Sequence, residues 1–261
     1  MDRSRQRRVR FPTERRLVLD TLHLGHEKPM MHGLLEVDVT LARQRIAAHR
    51  EQTGVSLSFT AFVLHCLGKA AAAHPAVHAR RDWFGRLVEF DDVDATVIVE
   101  TEVEGRKFAL AHVVRDLQRR TVQDVHDELR SVQRGGLHTL PSALRLGSWL
   151  VLHTPAAIRR LGYRAVLGSP TFAKRHTGTM LVSAVGMFGS GVGWGLSAPG
   201  IHDLSILVGG IAPRPPLSPD ASPREVLCLT VSANHEIVDG APLARFVRDL
   251  ARALEGADGL R

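Results

Sequence analysis

Six short runs with the apolar patterns of β-strands constrain the fold of this chain more than any other feature. Two of them alternate or are strongly β-branched, at 34–40 (LLEVDVT) and 94–101 (DATVIVET), as half-buried strands are. The other four runs are 107–114, 179–186, 203–211 and 225–233. Because 94–101 and 107–114 flank EVEGR, we predict a hairpin centred near Gly105.

Segments with helical spacing alternate with these runs. Thr40 is the predicted N-cap of a helix through about Thr53, and a mostly buried helix within 56–77 should end before Pro75. The remaining predicted helices are 121–133, 241–256 and two short apolar helices between Gly135 and Gly178. Strands and helices are therefore mixed along the chain, without an internal repeat or a linker. This layout predicts an α/β fold with a large mixed sheet covered by helices.

The composition is that of a globular protein. The chain has 261 residues, of which 44% are hydrophobic and 23% charged, so one large α/β domain is expected before two smaller ones. Part of the net charge of +7 comes from RSRQRRVR at 3–10, which is more typical of a solvated arm than of a nucleic-acid site. Aromatic residues make up 5% and no RNA-recognition or zinc-finger pattern occurs, which disfavours nucleic-acid binding.

The cysteines and the apolar segments bear on the cellular compartment. Cys66 lies in an apolar helical stretch and Cys228 in an apolar strand, as buried thiols in a reducing compartment do. The basic N-terminus is not followed by an apolar run of signal-peptide length. The longest uncharged apolar segment, 146–158, is too short to span a bilayer and contains Pro155. We therefore expect a soluble cytoplasmic protein.

Two tempting interpretations do not fit the spacing. The glycines at 189, 191, 193 and 195 do not give G-x-G-x-x-G, and no G-K-[ST] follows, so a nucleotide site is not predicted. The 14 histidines include no H-E-x-x-H and no paired ligand spacing with a carboxylate. The sequence therefore predicts no metal site.

The stretch 229–250, LTVSANHEIVDGAPLARFVRDL, joins the last predicted strand to the last predicted helix. His235 ends the strand, and Asp239 and Gly240 form the corner before the helix. From spacing alone, Asp239 is better placed to lock the loop by bonding to backbone or to an arginine than to transfer protons. The local pattern therefore favours a core histidine with an Asx turn, and a histidine that faces a cleft is the alternative.

The order of motifs along the chain resembles a known family. H-x-x-x-D-G at 235–240, followed by A-x-x-A-x-F and a helix, is similar to the end of the catalytic domain of the dihydrolipoamide acyltransferases of 2-oxo acid dehydrogenase complexes. Chloramphenicol acetyltransferases share that motif and fold. KPMMHGLLEVDVTLARQRI and GVSLSFTAFVLHCLGKAAAAHPAVHAR look like the N-terminal half of this family, and TMLVSAVGMFGSG and SAPGIHDLSILVGGI like its later strands. The similarity covers about 29–133 and 178–254.

The resemblance implies a site and an assembly. It makes His235 the general base that deprotonates a thiol of coenzyme A or of an acceptor, and Ser183 the donor to the oxyanion of the tetrahedral intermediate. Asp239 matches a structural aspartate and Gly240 the corner glycine. The implied fold is a chloramphenicol-acetyltransferase-like two-layer α/β sandwich. It forms a homotrimer whose sites combine a histidine and a serine from neighbouring subunits, so the two residues of one chain can lie far apart.

The sequence also departs from the family pattern. The family's D-H-R reads Asn234-His235-Glu236 here, and 105–114 lacks the expected proline. The apolar segment 135–177 has no recognised counterpart; it could cap a channel, bind an acyl chain or mediate assembly. We expect an arm and lead-in at 1–28, a catalytic domain at 29–256 and a tail at 257–261.

These observations together predict an acyltransferase that uses coenzyme A or acyl-CoA as substrate. Because no lipoyl domain precedes the core, no lipoyl group is expected in this chain, and a lipoyl-bearing protein would act in trans. The alternative is an inactive scaffold or binding protein that keeps the fold.

Overall fold

The computed structural model describes residues 10–13, 15–103, 106–135, 153–184, 193–216 and 222–260. Its strands are β1 (Met30–Asp38), β2 (Arg80–Arg81), β3 (Leu87–Val88), β4 (Ala95–Val103), β5 (Arg106–Val114), β6 (Met180–Ala184), β7 (Leu204–Arg214) and β8 (Arg224–Asn234). Its helices are α1 (Arg15–Gly25), α2 (Thr40–Thr53), α3 (Phe59–Ala72), α4 (Val122–Gly135), α5 (Ala156–Leu167), α6 (Pro170–Thr177) and α7 (Gly240–Glu255). Short 3₁₀ turns occupy Pro75–His78 and Leu117–Arg119.

Six strands form one mixed sheet in the order β1-β8-β7-β6-β4-β5. β6 runs parallel to both β4 and β7, and the other pairs are antiparallel. The predicted hairpin is β4–β5, whose turn at 104–105 lies outside the described residues. Each of the six predicted runs overlaps one strand of this sheet, which confirms the mixed α/β fold.

One hydrophobic core lies between the sheet and the helices. Phe62 of α3 and Phe246 of α7 are fully buried there, together with Val97, Ile206 and Val231 of the sheet. α3 is apolar nearly all round because it packs against α4, α7 and the 3₁₀ turn at Leu117–Arg119. Because α3 is covered by the sheet and by these neighbours, its sequence shows no clear polar face.

The predicted helix boundaries differ by a few residues. Thr40 is the first residue of α2, and the Asp38 carboxylate accepts from both its backbone N–H, at 3.0 Å, and its hydroxyl, at 2.6 Å. The helix expected within 56–77 begins at Phe59, with the Ser58 hydroxyl accepting from Ala61 N–H at 3.4 Å. Both starts are fixed by side-chain oxygens one or two residues before the helix.

The segment 1–28, expected as an arm and lead-in, contains helix α1, which packs on α5. The Asp20 carboxylate, 1% exposed, lies 2.6 Å from Arg159 Nε and 3.2 Å from Arg160 Nε. α5 is one of the two short apolar helices predicted in the 135–177 segment, whose residues 136–152 lie outside the described part. α6, at Pro170–Thr177, begins where the predicted apolar stretch 140–170 ends. A buried ion pair thus attaches this segment to the N-terminal helix.

The two cysteines agree with the sequence expectation. Cys66 and Cys228 are both free and buried, as predicted. Among the described residues, no helix has the length and apolarity needed to cross a membrane.

We predict that Asp20→Ala lowers the free energy of unfolding by about 3 kcal/mol, because it leaves the buried Arg159 guanidinium without its carboxylate. The matched control is Glu27→Ala, which removes the exposed partner of Arg164 at 2.5 Å and should change stability by less than about 1 kcal/mol. Urea denaturation of the three proteins measures the difference. Equal effects of the two substitutions would contradict a structural role for the buried pair.

Candidate active site

His235 lies in a tight turn directly after β8. The carbonyl of Asn234 accepts from Ile237 N–H at 3.0 Å and from Val238 N–H at 3.2 Å, and the His235 N–H donates to the carbonyl of Pro29 at 2.8 Å. These bonds fix the backbone of His235 between β1 and β8. The histidine is therefore held by its main chain and its ring is left half-exposed, with 55% of the side chain accessible.

A buried polar cluster supports this turn from below. Asp203 Oδ1 lies 2.9 Å from Lys28 Nζ and accepts from the Asn234 side-chain amide at 3.0 Å, while the Asp203 carbonyl accepts from Asn234 N–H at 2.8 Å. Burial alone would raise the pKa of Asp203, but the Lys28 ammonium and the Asn234 amide hold it below its usual range. The carboxylate is therefore charged at neutral pH and available to both partners.

This cluster explains the two departures around His235. A carboxylate at position 234, as in the family's D-H-R, would stand about one hydrogen-bond length from the Asp203 carboxylate, so an amide is required. The Asn234 Oδ1 also accepts from Glu236 N–H at 3.1 Å. Glu236 lies 3.5 Å from Arg81, so the reversed charge at this position has a partner too. Asn234 and Glu236 thus each have a partner elsewhere in the chain, Asp203 and Arg81 respectively.

Asp239 and Gly240 lie at the corner, as predicted, but without the expected bonds. Asp239 is the N-cap residue of α7 and makes no side-chain capping bond; its carboxylate is 84% exposed and lies 3.6 Å from His235 Nδ1. Buried Ile237 and Val238 make the turn, which brings the carboxylate back towards the ring. An added Cβ on Gly240 would meet nothing within 4 Å, so packing within one chain does not require glycine there.

Ser183 is half-buried near the end of β6 and is not close to His235. It pairs with Leu207 on β7, which pairs with Thr230 on β8, whereas His235 lies five residues further along that strand. At about 3.3 Å per residue and 4.8 Å per strand, the two backbones are roughly 19 Å apart in one chain. The structure therefore brings Asp239 to His235 and leaves Ser183 apart.

A cavity of about 420 Å³, the polar cavity, opens beside the His235 turn. Its walls include charged and polar residues from four parts of the chain: Lys28, Arg80, Arg81, Asp203, Asn234 and Glu236. Arg80 is 2% exposed and donates to Thr177 Oγ1 at 3.1 Å and to the Gly178 carbonyl at 2.9 Å, while its Nε finds no hydrogen-bond partner in the described part of the chain. Lys28, Arg80 and Asp203 carry no local pattern that sequence reasoning could have found.

Histidine 202 beside this cluster is buried and neutral. Burial, together with the nearby Arg80 guanidinium, lowers the pKa of His202 to about 4. Its Nε2–H donates to the Thr177 carbonyl at 2.7 Å. Within the described residues, no group of three or more histidine, cysteine, aspartate or glutamate side chains is arranged to hold a metal ion.

Comparison with known sequences supports the resemblance. Residues 150–260 match the family described as 2-oxoacid dehydrogenases acyltransferase (catalytic domain). The match includes α5 and α6, so this part of the 135–177 segment does have a counterpart in the family. No curated protein sequence matches the chain significantly.

Solved structures have the same fold. A probable dihydrolipoamide acetyltransferase from Listeria monocytogenes 4b F2365 superposes with a TM-score of 0.73 at 16% identity, covering 97% of this chain and 96% of that chain. The dihydrolipoamide acetyltransferase of Azotobacter vinelandii gives 0.71 at 17% identity, covering 97% and 93%. A chloramphenicol acetyltransferase gives 0.50 at 18% identity, covering 97% and 96%.

The fold and the matched segment confirm the predicted resemblance and enzyme class. The chain has the fold of dihydrolipoamide acetyltransferase cores, and its C-terminal part matches the acyltransferase catalytic domain of the 2-oxoacid dehydrogenases. Both findings support an acyltransferase.

We predict that Asn234→Asp lowers the free energy of unfolding by about 2–3 kcal/mol at pH 7, because two buried carboxylates would then share Lys28. Asp203→Asn in the same chain should recover most of this loss, since the amide and the carboxylate have exchanged places. Urea denaturation of the two single variants and the double variant gives the coupling free energy. Additive effects would contradict direct contact between the two side chains.

We predict acid sensitivity from buried neutral histidines. Burial lowers the pKa of His78 and of His202 to about 4, so the unfolded chain binds more protons than the folded one between about pH 6.5 and 4. Stability should be fully present above that range and fall as the pH drops through it, by up to about 3 kcal/mol for each histidine. His202→Gln keeps a donor to the Thr177 carbonyl. In this variant the free energy of unfolding, measured by urea denaturation at several pH values, should fall less steeply with decreasing pH. An unchanged pH dependence of the free energy of unfolding would exclude His202 as a cause of the acid sensitivity.

Proposed function

We propose that this protein transfers an acyl group between coenzyme A and a thiol, hydroxyl or amine acceptor, with His235 as general base. The observation that carries the proposal is the half-exposed imidazole on a turn whose backbone is fixed to Pro29 and to the Asp203–Asn234 cluster. A base must keep its orientation while its ring stays accessible to substrate. Histidine suits the task because its ordinary pKa lies near neutrality.

The spacing of residues supports the roles of Ser183 and Asp239. A serine, a histidine and an asparagine were studied for their role in the catalytic mechanism of the A. vinelandii enzyme. In that protein the serine precedes the histidine by 52 residues and the asparagine follows it by four. Ser183, His235 and Asp239 have the same separations, although the two chains share 17% identity.

The proposed reaction proceeds by direct transfer. His235 Nε2, the ring nitrogen away from Asp239, takes the proton of the acceptor, whose thiolate, alkoxide or amine attacks the thioester carbonyl carbon. The Ser183 hydroxyl donates a hydrogen bond to the resulting oxyanion. The tetrahedral intermediate collapses by breaking the carbon–sulfur bond, and the coenzyme A thiolate recovers the proton from the imidazolium. Acyl-CoA is the donor substrate, coenzyme A is the released product, and no acyl-enzyme forms.

The reaction centre is proposed to lie between two chains. A serine and an imidazole that act on one intermediate must each come within about 3 Å of it, and the roughly 19 Å between them in one chain is too far. A second copy can supply the missing serine, and a cyclic trimer gives every subunit one complete site. A lipoyl-bearing protein acting in trans is one acceptor that the resemblance suggests.

The test is complementation between two inactive variants. We predict that His235→Ala loses about 100-fold or more of acyl transfer and that Ser183→Ala loses about 100- to 1000-fold, measured by chromatography as the conversion of acetyl-CoA to coenzyme A in the presence of dihydrolipoamide. The control is His23→Ala, which removes an exposed histidine of α1 and should leave turnover unchanged. Sedimentation should show the same oligomer for all of them.

Co-refolding the two variants distinguishes shared sites from sites within one chain. If each site takes its histidine and serine from different chains, random mixing restores about a quarter of wild-type activity. If mixing restores nothing, the shared site is wrong. If His235→Ala turns over normally, the mechanism is wrong, and a lack of acyl-CoA binding in the wild type would favour a scaffold that keeps the fold.

A further inference from the structure

A second cavity, of about 500 Å³, lies between α5 and α6 and is called the apolar cavity here. Almost all of its wall is apolar: Ile158, Gly162, Val166, Leu167, Phe172 and Ile201. Ile158, Gly162 and Val166 recur every four residues and so form one face of α5. Phe172 and His176 of α6 stand opposite, with their rings 4.4 Å apart between centroids. The volume falls within the range of small-molecule sites.

The apolar cavity is adjacent to the polar cavity beside the His235 turn, because Leu167 and Ile201 belong to the walls of both. A ligand that extends past these two side chains would have its reactive group near the turn at 234–237 and its tail between α5 and α6.

Gly162 keeps the apolar cavity open. It lies in the interior of α5, where glycine is the least favoured residue apart from proline. An added Cβ would meet nothing within 4 Å, and the backbone is not in the left-handed region, so neither packing nor conformation requires glycine. A side chain at position 162 would instead occupy space in the cavity.

The wall of the apolar cavity favours an uncharged, flexible occupant. Arg159, the basic residue in this wall, is paired with the buried Asp20 at 2.6 Å, so it offers little charge to a ligand. Ile158 and Phe172 are 59% and 48% exposed, and covering them with hydrocarbon is favourable. A charged part of a ligand would therefore bind in the polar cavity.

We propose that the apolar cavity holds the hydrocarbon tail of an aliphatic acyl group, so that the protein prefers acyl donors longer than acetyl. This inference rests on the proposed acyl transfer and adds the class of acyl group. Each methylene that enters the cavity should raise kcat/KM about fourfold until the cavity is full. A short acyl group would leave the cavity to water and gain nothing from it.

The experiment compares acetyl-, butyryl-, hexanoyl- and octanoyl-CoA in the same chromatographic assay of coenzyme A formation. The wild type should show rising kcat/KM along the series. Gly162→Leu fills the cavity with a good helix former and should flatten the rise, because it lowers kcat/KM for octanoyl-CoA far more than for acetyl-CoA. Ala165→Leu is the matched control, because it adds the same bulk on an exposed position of α5 outside the cavity.

A binding arm separates this inference from the proposed function. Calorimetry with sodium octanoate needs no acyl transfer, and octanoate should bind to the wild type and to Ala165→Leu but at least tenfold more weakly to Gly162→Leu. Octanoate binding without transfer of any acyl group would overturn the acyl-donor role. Transfer with a flat chain-length series and no octanoate binding would overturn the inference while the proposed function stands. A change in oligomeric state of Gly162→Leu, without a change in selectivity, would make this surface an interface and also overturn it.

Discussion

The candidate site depends on one buried ion pair, Lys28 with Asp203. Its carboxylate holds the Asn234 side chain, Asn234 closes the turn, and the turn positions His235. Two cations, Lys28 and Arg80, act on this single carboxylate and hold its pKa below the usual range. The unusual asparagine before the histidine follows from the same pair. Once Asp203 supplies the negative charge, position 234 must be neutral.

Most of the sheet could be predicted because each strand shows an apolar or β-branched pattern within its own residues. Each predicted run matches one strand, and the apolar stretch at 56–77 contains a buried helix. Helix α1 was not predicted, because RRLVLDTLHLG has charges that break its apolar face. Its key residue, Asp20, is stabilised by Arg159, a partner far away in sequence that no local window contains.

From the sequence, only those site residues that belong to a recognisable motif could be predicted. His235, Asp239 and Gly240 lie in one short stretch, and the resemblance added Ser183 with its proposed role. Lys28, Arg80 and Asp203 are single charged residues on three separate segments, and only the fold brings them together. The bonds of Asp239 were misjudged for a related reason: the turn is closed by the Asn234 carbonyl and by buried Ile237 and Val238, which spacing does not reveal.

The pairing of β1 with β8 has a consequence for how the chain acquires its site. Residues 30–38 form hydrogen bonds with residues 226–234, so nearly the whole intervening sequence must be synthesised before the two strands can meet. Contacts of such long sequence separation form slowly, because a large loop has to be closed first. The anchors of His235 at Lys28 and Pro29 belong to the same late event. During synthesis, then, the histidine acquires its fixed geometry among the last features of the fold, and a nascent chain carries no preformed reaction centre.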